Sequence, residues 1–499
     1  MSYGDESSSK WIGAIAGVGF VLRICYTLIA RPTWPQQGNW YYTHQAQYLA
    51  HGHFFIDPVA FAVAHVAIHS VVYPPMTTLS LAFLDLVGLA TPFAHQVVWC
   101  MIGTGTVVVL GKLGNLIGGP QVGLVAATVA ALYPYLWMND PLVSSETLEQ
   151  FLVACVLYST YRVLQGPNLA WACSLSVSLS IAILTRSEYT LLVILLLVPA
   201  GFVLWHIEKR TIALALVGMS ALVLAPWIIY SLTSFQRPEF VATDLGETLI
   251  QANCPADYYS VAIGFYSLEA QCLPYTYPLT VKVPKATLDR AAKGAFPKLH
   301  HDPADLAYAK SLYTYARKSP RYFPYLNLST FRTFVASSAR MYLQTDESVQ
   351  DHYWQGQAIS YASRNASRVP LVVLARLANT FGIYQQGYAV QADSYSGRPI
   401  WGSEIGMVMY YVLVVASVAG LADLRRRTRI WPLLAPIIVV AVSVALTYGL
   451  IRFRSGAEPS IVLLGSFGIV AYSKSLRQRL GRVSLKGLTR LAFGVEELD

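Results

Sequence analysis

Apolar residues in this chain gather in long runs instead of alternating with polar ones. A helix needs about 20 such residues to cross a bilayer. Runs of roughly this kind are Trp11–Ala30, His95–Lys112, Gly119–Met138, Val143–Arg162, Ala170–Arg186, Tyr189–Trp205 and Thr211–Leu232. After a long gap come Glu404–Leu421, Trp431–Leu450 and Ser460–Tyr472. Thr77–Ala90 is apolar but shorter, and it carries Asp85. It predicts an interfacial or re-entrant helix. Val369–Tyr384 is interrupted by Arg376 and Asn379, which predicts a helix lying at the interface. The pattern predicts an all-α polytopic membrane protein with about 10 transmembrane helices (roughly 9–12 with the short runs counted differently) and juxtamembrane helices.

Composition supports this. Of 499 residues, 55% are apolar and 13% charged, against roughly 25% charged in soluble domains. The runs divide the chain into an N-terminal transmembrane module (1–232) with a first outer loop (31–94), an outer domain (233–403), C-terminal transmembrane helices (404–472) and a basic tail (473–499). The outer domain is too long for a structureless loop and is Pro-punctuated, with aromatic clusters (Tyr258-Tyr259, Phe265-Tyr266, Tyr275, Tyr277) and helical patterning over Leu306–Lys318. It predicts a mostly helical extracytoplasmic unit.

The net charge of +9 is unevenly placed. Basic clusters are Lys209-Arg210, then Arg425-Arg426-Arg427 with Arg429, then Lys474, Arg477, Arg479, Arg482, Lys486 and Arg490. With ten spans, all three fall on the side of the N-terminus. Basic residues favour the cytoplasmic side, so both termini are expected there. The tail then faces anionic lipid, and nucleic-acid binding is not the reading. Trp11–Ala30 is expected to remain as a first span, since Asp5 and Glu6 spoil a basic leader and no small-x-small site follows. Arg23 within it is expected to snorkel or to face the bundle. Cys25, Cys100, Cys155 and Cys173 lie in spans as packing residues. Cys254 and Cys272 lie in the outer domain, where such a pair predicts a disulfide. No further ligands at suitable spacing support a zinc site there.

This topology collects polar residues on the outer face. The first loop supplies Asn39, His44, His51, His53, Asp57, His65, His69 and Tyr73-Pro74-Pro75. Later turns supply "NDPLVSSE" with Asp140 and Glu146, "LTRSEY" with Arg186 and Glu188, and "RFRSGAEP" with Arg452, Arg454 and Glu458. Interfacial anchoring explains any one of them. Together they point to an anion-handling site. His65 and His69 have metal-compatible spacing, but without a third ligand they read as polar residues at a wet interface.

The pieces "GNWYYTHQAQYLAHGHFFIDP", "YPP", "ALYPYLWMNDPLVSSE", "LTRSE", "LGETLIQANCPADYY", "RLANTFGIYQQG" and "RFRSGAEPS", in this order and topology, carry a resemblance. The chain resembles the GT-C membrane glycosyltransferases, nearest to the family 39 type that includes protein O-mannosyltransferases and aminoarabinose transferases, and among these to actinobacterial members. The resemblance implies transfer of a sugar from a polyprenyl-phosphate donor to a cell-envelope glycan, glycolipid or protein, outside a bacterial plasma membrane and with inversion. Such chemistry needs a carboxylate to take the acceptor proton. It also needs guanidinium forks to hold the lipid phosphate. Arg186, Arg452 and Arg454 are the phosphate candidates. Asp140 matches the family's second acidic position, with Glu146 close behind. His44, Tyr73 and Glu458 are candidates for positioning acceptor or sugar. The family's first-loop Asp is here Asn39, which cannot take a proton at neutral pH. Either another acid such as Asp57, Asp140 or Glu146 is the base, or the acceptor is already ionised, or the chain binds lipid-linked sugar without catalysis. No cofactor is certain, and a divalent cation near the donor phosphate stays open. Membrane lipid is an expected partner. A transporter is the rival from another class, but it needs charges near the midplane and repeated broken helices.

Overall fold

The structure is a computed structural model describing residues 3–30, 37–58, 60, 61, 66–260, 263–265, 345–425 and 428–492. For residues 3–6, 37–39, 395, 422, 423 and 476–492 only the backbone is described. Cys272, His65, Tyr266, Tyr275, Tyr277 and Leu306–Lys318 lie outside the described residues. Those described are helical apart from turns and one antiparallel bridge, Ile56 to His69.

The first half runs α1 (Tyr3–Ala30), α2 (Gln37–Ala50), α3 (Met76–Leu86), α4 (Pro92–Gly118), α5 (Pro120–Leu132), α6 (Pro134–Trp137), α7 (Ser145–Gln165), α8 (Leu169–Thr185), α9 (Val198–His206) and α10 (Arg210–Ser234). Then come α11 (Leu245–Ala252), α12 (Pro255–Tyr259), α13 (Glu347–Arg364), α14 (Val369–Thr380), α15 (Gln386–Tyr395), α16 (Ile400–Leu424), α17 (Trp431–Leu446) and α18 (Glu458–Ala492). The chain is an all-α membrane protein. Among the described residues, five helices are long and apolar enough to cross a bilayer: Ser7–Ala30, Pro92–Gly118, Ser187–His206, Arg210–Ser234 and Ile400–Leu421.

Several expected spans take another form. Gly119–Met138 is not one straight helix. It bends by 70° between Pro120–Leu132 and Pro134–Leu142. Pro134 has no N–H to donate, and its ring disfavours helical geometry at Tyr133, whose ψ is 114°. Counted as one span, the bent pair makes six. The runs at Ala170–Arg186 and Trp431–Leu450 become the shorter apolar helices α8 and α17. Thr77–Ala90 becomes α3, also short, as expected.

Close packing relies on small residues. A Cβ on Gly468 of α18 would lie 1.8 Å from the Ala416 carbonyl oxygen of α16, so only glycine fits. Such contacts let two backbones approach within a membrane.

The described part of residues 233–403 packs against the first loop and the helices. The first loop joins it through Thr243 N–H, which donates to the Val71 carbonyl at 3.0 Å. The carboxylate of Glu347 accepts from Val71 N–H at 2.9 Å and from the Thr243 hydroxyl. Farther on, α14 points Arg376 inward. Its Nη2 lies 3.0 Å from Asp257 and its Nη1 donates to the Ala445 carbonyl at 3.1 Å. An interrupted apolar helix is thus explained, because the interrupting cation ties α12 to α17.

Candidate active site

The 70° bend turns the chain across the end of the bundle and delivers Asn139, Asp140 and Glu146 there. Glu146, in the first turn of α7, is buried. It is 3.3 Å from Nη2 of Arg398, a cation just before α16. Arg398 also donates from Nε to the Asn139 side-chain oxygen at 2.8 Å, and its Nη1 lies 3.5 Å from Asp393. One turn beyond Glu146 stands Glu149. It accepts from the Tyr189 hydroxyl and from Ser455 Oγ at 2.7 Å, and Arg186 Nη1 lies 3.7 Å away. Arg186 donates from Nε to Glu188 at 2.6 Å. Four separate turns meet here, as their shared face predicts.

Arg452 completes the cationic rim. It interacts electrostatically with Glu146 and Arg186 and donates to the Tyr448 hydroxyl. It forms no ion pair among the described residues, and its buried Nε has no hydrogen-bond partner. That Nε is a buried donor left open for an anion. Two tyrosines of the first loop border it. Tyr42 interacts with Arg186, Glu146 and Asp244, and Tyr73 with Tyr42, Arg452 and Asp244. Their rings lie 5.0 Å apart.

Asp244, just before α11, was not visible from the sequence as a site residue. Its side chain makes no capping bond. Burial, then Glu188 and Asp351, push its carboxyl up to about 7, while Arg186 pulls it down. A carboxylate titrating near neutrality suits proton transfer.

Other expected residues lie elsewhere or are already engaged. Asp140 is fully buried, with Oδ2 accepting from Arg23 Nε at 2.8 Å and Oδ1 from Thr147 at 2.9 Å. Arg23 therefore faces the bundle. Arg454 is also fully buried, paired with Glu458 at 2.6 Å and lying over the rings of Tyr410 at 3.5 Å and Tyr135 at 4.8 Å. Glu458 takes a second bond from the Tyr133 hydroxyl at 2.8 Å. This pair closes on itself rather than facing the rim. Asp57 caps the turn after it, accepting Ala60 N–H at 2.6 Å. His44 donates from Nδ1 to the Trp40 carbonyl at 2.9 Å and stacks on Trp40. His69 Nδ1 is engaged with the Tyr230 hydroxyl. Asn39 lies in the first turn of α2, where only its backbone is described. Cys254 is buried before α12, and its expected partner Cys272 is outside the described residues.

A metal does not suit the arginine rim, where guanidinium groups surround Glu146. The three-residue donor set found among the described residues is elsewhere, at Glu239, Asp351 and His352. Of the residues that sequence reasoning passed over, Arg398 and Glu149 carried a readable signal. One is a cation at a span end and the other an acid inside a span. Asp244 carried none, because only the fold brings it to Arg186.

No known family profile matches this chain, and no curated protein matches it by sequence. Solved structures are similar to it to different degrees. An Archaeoglobus fulgidus oligosaccharyltransferase, in complex with Zn and sulfate, aligns with 96% of this chain at TM-score 0.50 and 12% identity. The same organism's oligosaccharyltransferase AglB, with an inhibitory peptide and a dolichol-phosphate, aligns with all of it at 0.49 and 12%. ArnT from Cupriavidus metallidurans bound to undecaprenyl phosphate aligns with 90% of this chain and 77% of its own, at 0.35 and 14%. The chain spans about half the length of the oligosaccharyltransferases, 51% and 53%. The likeness at TM-score 0.50 is one of fold.

Proposed function

We propose that the chain is a glycosyltransferase that moves a sugar from a polyprenyl-phosphate donor to an envelope acceptor, at the extracytoplasmic face of a bacterial plasma membrane and with inversion. The observation that carries this is Arg452. Its buried Nε has no hydrogen-bond partner, and it stands beside Arg186, with Glu146 and Asp244 within electrostatic reach of the two. The arginines hold the donor phosphate. As the bond from the anomeric carbon to the phosphate oxygen breaks, they stabilise the charge on the departing polyprenyl phosphate. Asp244 takes the acceptor's hydroxyl proton, and the freed oxygen attacks the anomeric carbon from the opposite side. Tyr42 and Tyr73 position the sugar. Glu146 holds Arg398 and Arg452 in place. Asp140 and the Arg454–Glu458 pair are positioning residues, each engaged with another side chain. Cys254–Cys272 would brace the outer region.

Asn39 favours a second reading. If the base belongs at that position, the chain binds lipid-linked sugar as a partner in envelope assembly and transfers nothing. The test is transfer by the purified protein, using a panel of polyprenyl-phosphate sugars with envelope extract as acceptor. Wild type is run beside Asp244→Asn, Glu146→Gln and Asn39→Asp. Transfer by wild type that is lost in Asp244→Asn supports the enzyme and its base. Wild type inert with every donor, alongside an active Asn39→Asp, would leave only the binding reading.

A further inference from the structure

Away from the arginine rim, the segment after α10 and the start of α13 bring acids together. Glu239 is only 7% exposed and Asp351 1%, and His352 stands beside them. One ligand atom from each lies within 4.8 Å of the other two. The acids alone would mean little, since buried carboxylates can share protons. Two further observations point to a ligand. The Oε1 of Glu239 is buried and has no hydrogen-bond partner, although His352 Nδ1 is 3.2 Å away. That Nδ1 is also 2.9 Å from the Ser348 carbonyl, a contact that fixes the ring beside the acids. Asp351 is held similarly, accepting Gly246 N–H on Oδ1 and Gln355 on Oδ2. Each oxygen keeps a lone pair for a further contact.

We propose that Glu239, Asp351 and His352 bind one divalent cation of the imidazole-accepting class, Zn²⁺ or Mn²⁺, which staples the segment after α10 to α13. Two carboxylates with one imidazole suit these ions better than Ca²⁺ or Mg²⁺, which prefer all-oxygen sites. None of the site's three residues belongs to the arginine rim, and Asp351 connects the two places by acting on Asp244.

The test uses the full chain purified in detergent, stripped with EDTA and titrated with Zn²⁺ or Mn²⁺. Bound metal is counted by elemental analysis, and the unfolding midpoint is followed. Wild type should retain one ion per chain and unfold at a higher temperature with it. Glu239→Gln and His352→Gln should each weaken binding at least about tenfold. Wild type alone supplies a second measure, since Zn²⁺ and Mn²⁺ should displace Mg²⁺ and Ca²⁺ from the site. No retained ion at about 1 mM free metal, the weak limit for extracellular sites, would overturn the proposal. So would unchanged binding in both variants.

Discussion

Removing one member of the Arg23–Asp140 pair separates a structural role from a catalytic one. Both side chains are 0% exposed and their atoms are 2.8 Å apart. Asp140→Asn keeps the shape and leaves Arg23 charged, buried and unpaired. Breaking a buried pair in this way costs about 3–5 kcal/mol. Replacing both with apolar groups of similar volume, Arg23→Met with Asp140→Leu, should recover most of that loss, because neither charge then needs desolvating. Unfolding followed by tryptophan fluorescence in detergent, over wild type, both singles and the double, gives the coupling energy. It should be at least about 2 kcal/mol, toward the upper end for residues in contact. The singles should lose transfer only as far as they lose folded protein. An Asp140→Asn chain that unfolds like wild type yet has lost transfer would refute this, and would return Asp140 to the reacting groups.

Arg452→Gln should weaken donor binding by about 10–100-fold, the range for a charge-assisted hydrogen bond, with little effect on the unfolding midpoint; titration with polyprenyl phosphate measures it. The pH profile of kcat/KM should show an acidic limb near 7, since Asp244 accepts a proton only above its pKa of about 7, and Asp244→Asn should abolish that limb along with about 10²–10⁴-fold of the rate. The outer region should become less stable as pH rises from about 4 toward 8. Burial raises Glu347 to about 8 and Asp257 to about 7, so the folded state holds protons that the unfolded state releases, and hydrogen exchange in α12 and α13 should quicken accordingly after correction for intrinsic rates. Gly103→Ala would place a Cβ 2.3 Å from Asp140 Oδ2, so the variant should lose about 1–3 kcal/mol by overpacking, read from the same unfolding assay.

The helical membrane class was legible because burial in lipid imposes a long apolar run, and such runs need no partner to be seen. The shared face was legible for the same reason. Arg186, Glu146 and Arg452 interrupt the pattern at the ends of apolar runs, and the structure brings the three together. What the pattern could not resolve was which charges satisfy each other. Arg454 and Arg452 are two positions apart and look alike in sequence, yet one is paired with Glu458 and the other has no ion pair among the described residues. That difference depends on helical phase and on Tyr135 and Tyr410, which lie far off along the chain. The bend at Pro134 was readable from a proline within a run, but its apolar flanks concealed it. Asp244 directly precedes the piece that starts at Leu245, yet only the fold brings it to Arg186.

The partners of α7 come late in the chain. Glu146 meets Arg398, and Glu149 is completed by Ser455. During synthesis, both acids enter the membrane long before those residues leave the ribosome. Until then Arg186 is the early partner of these acids, and the site stays incomplete until the residues around Arg398 and Ser455 have been made.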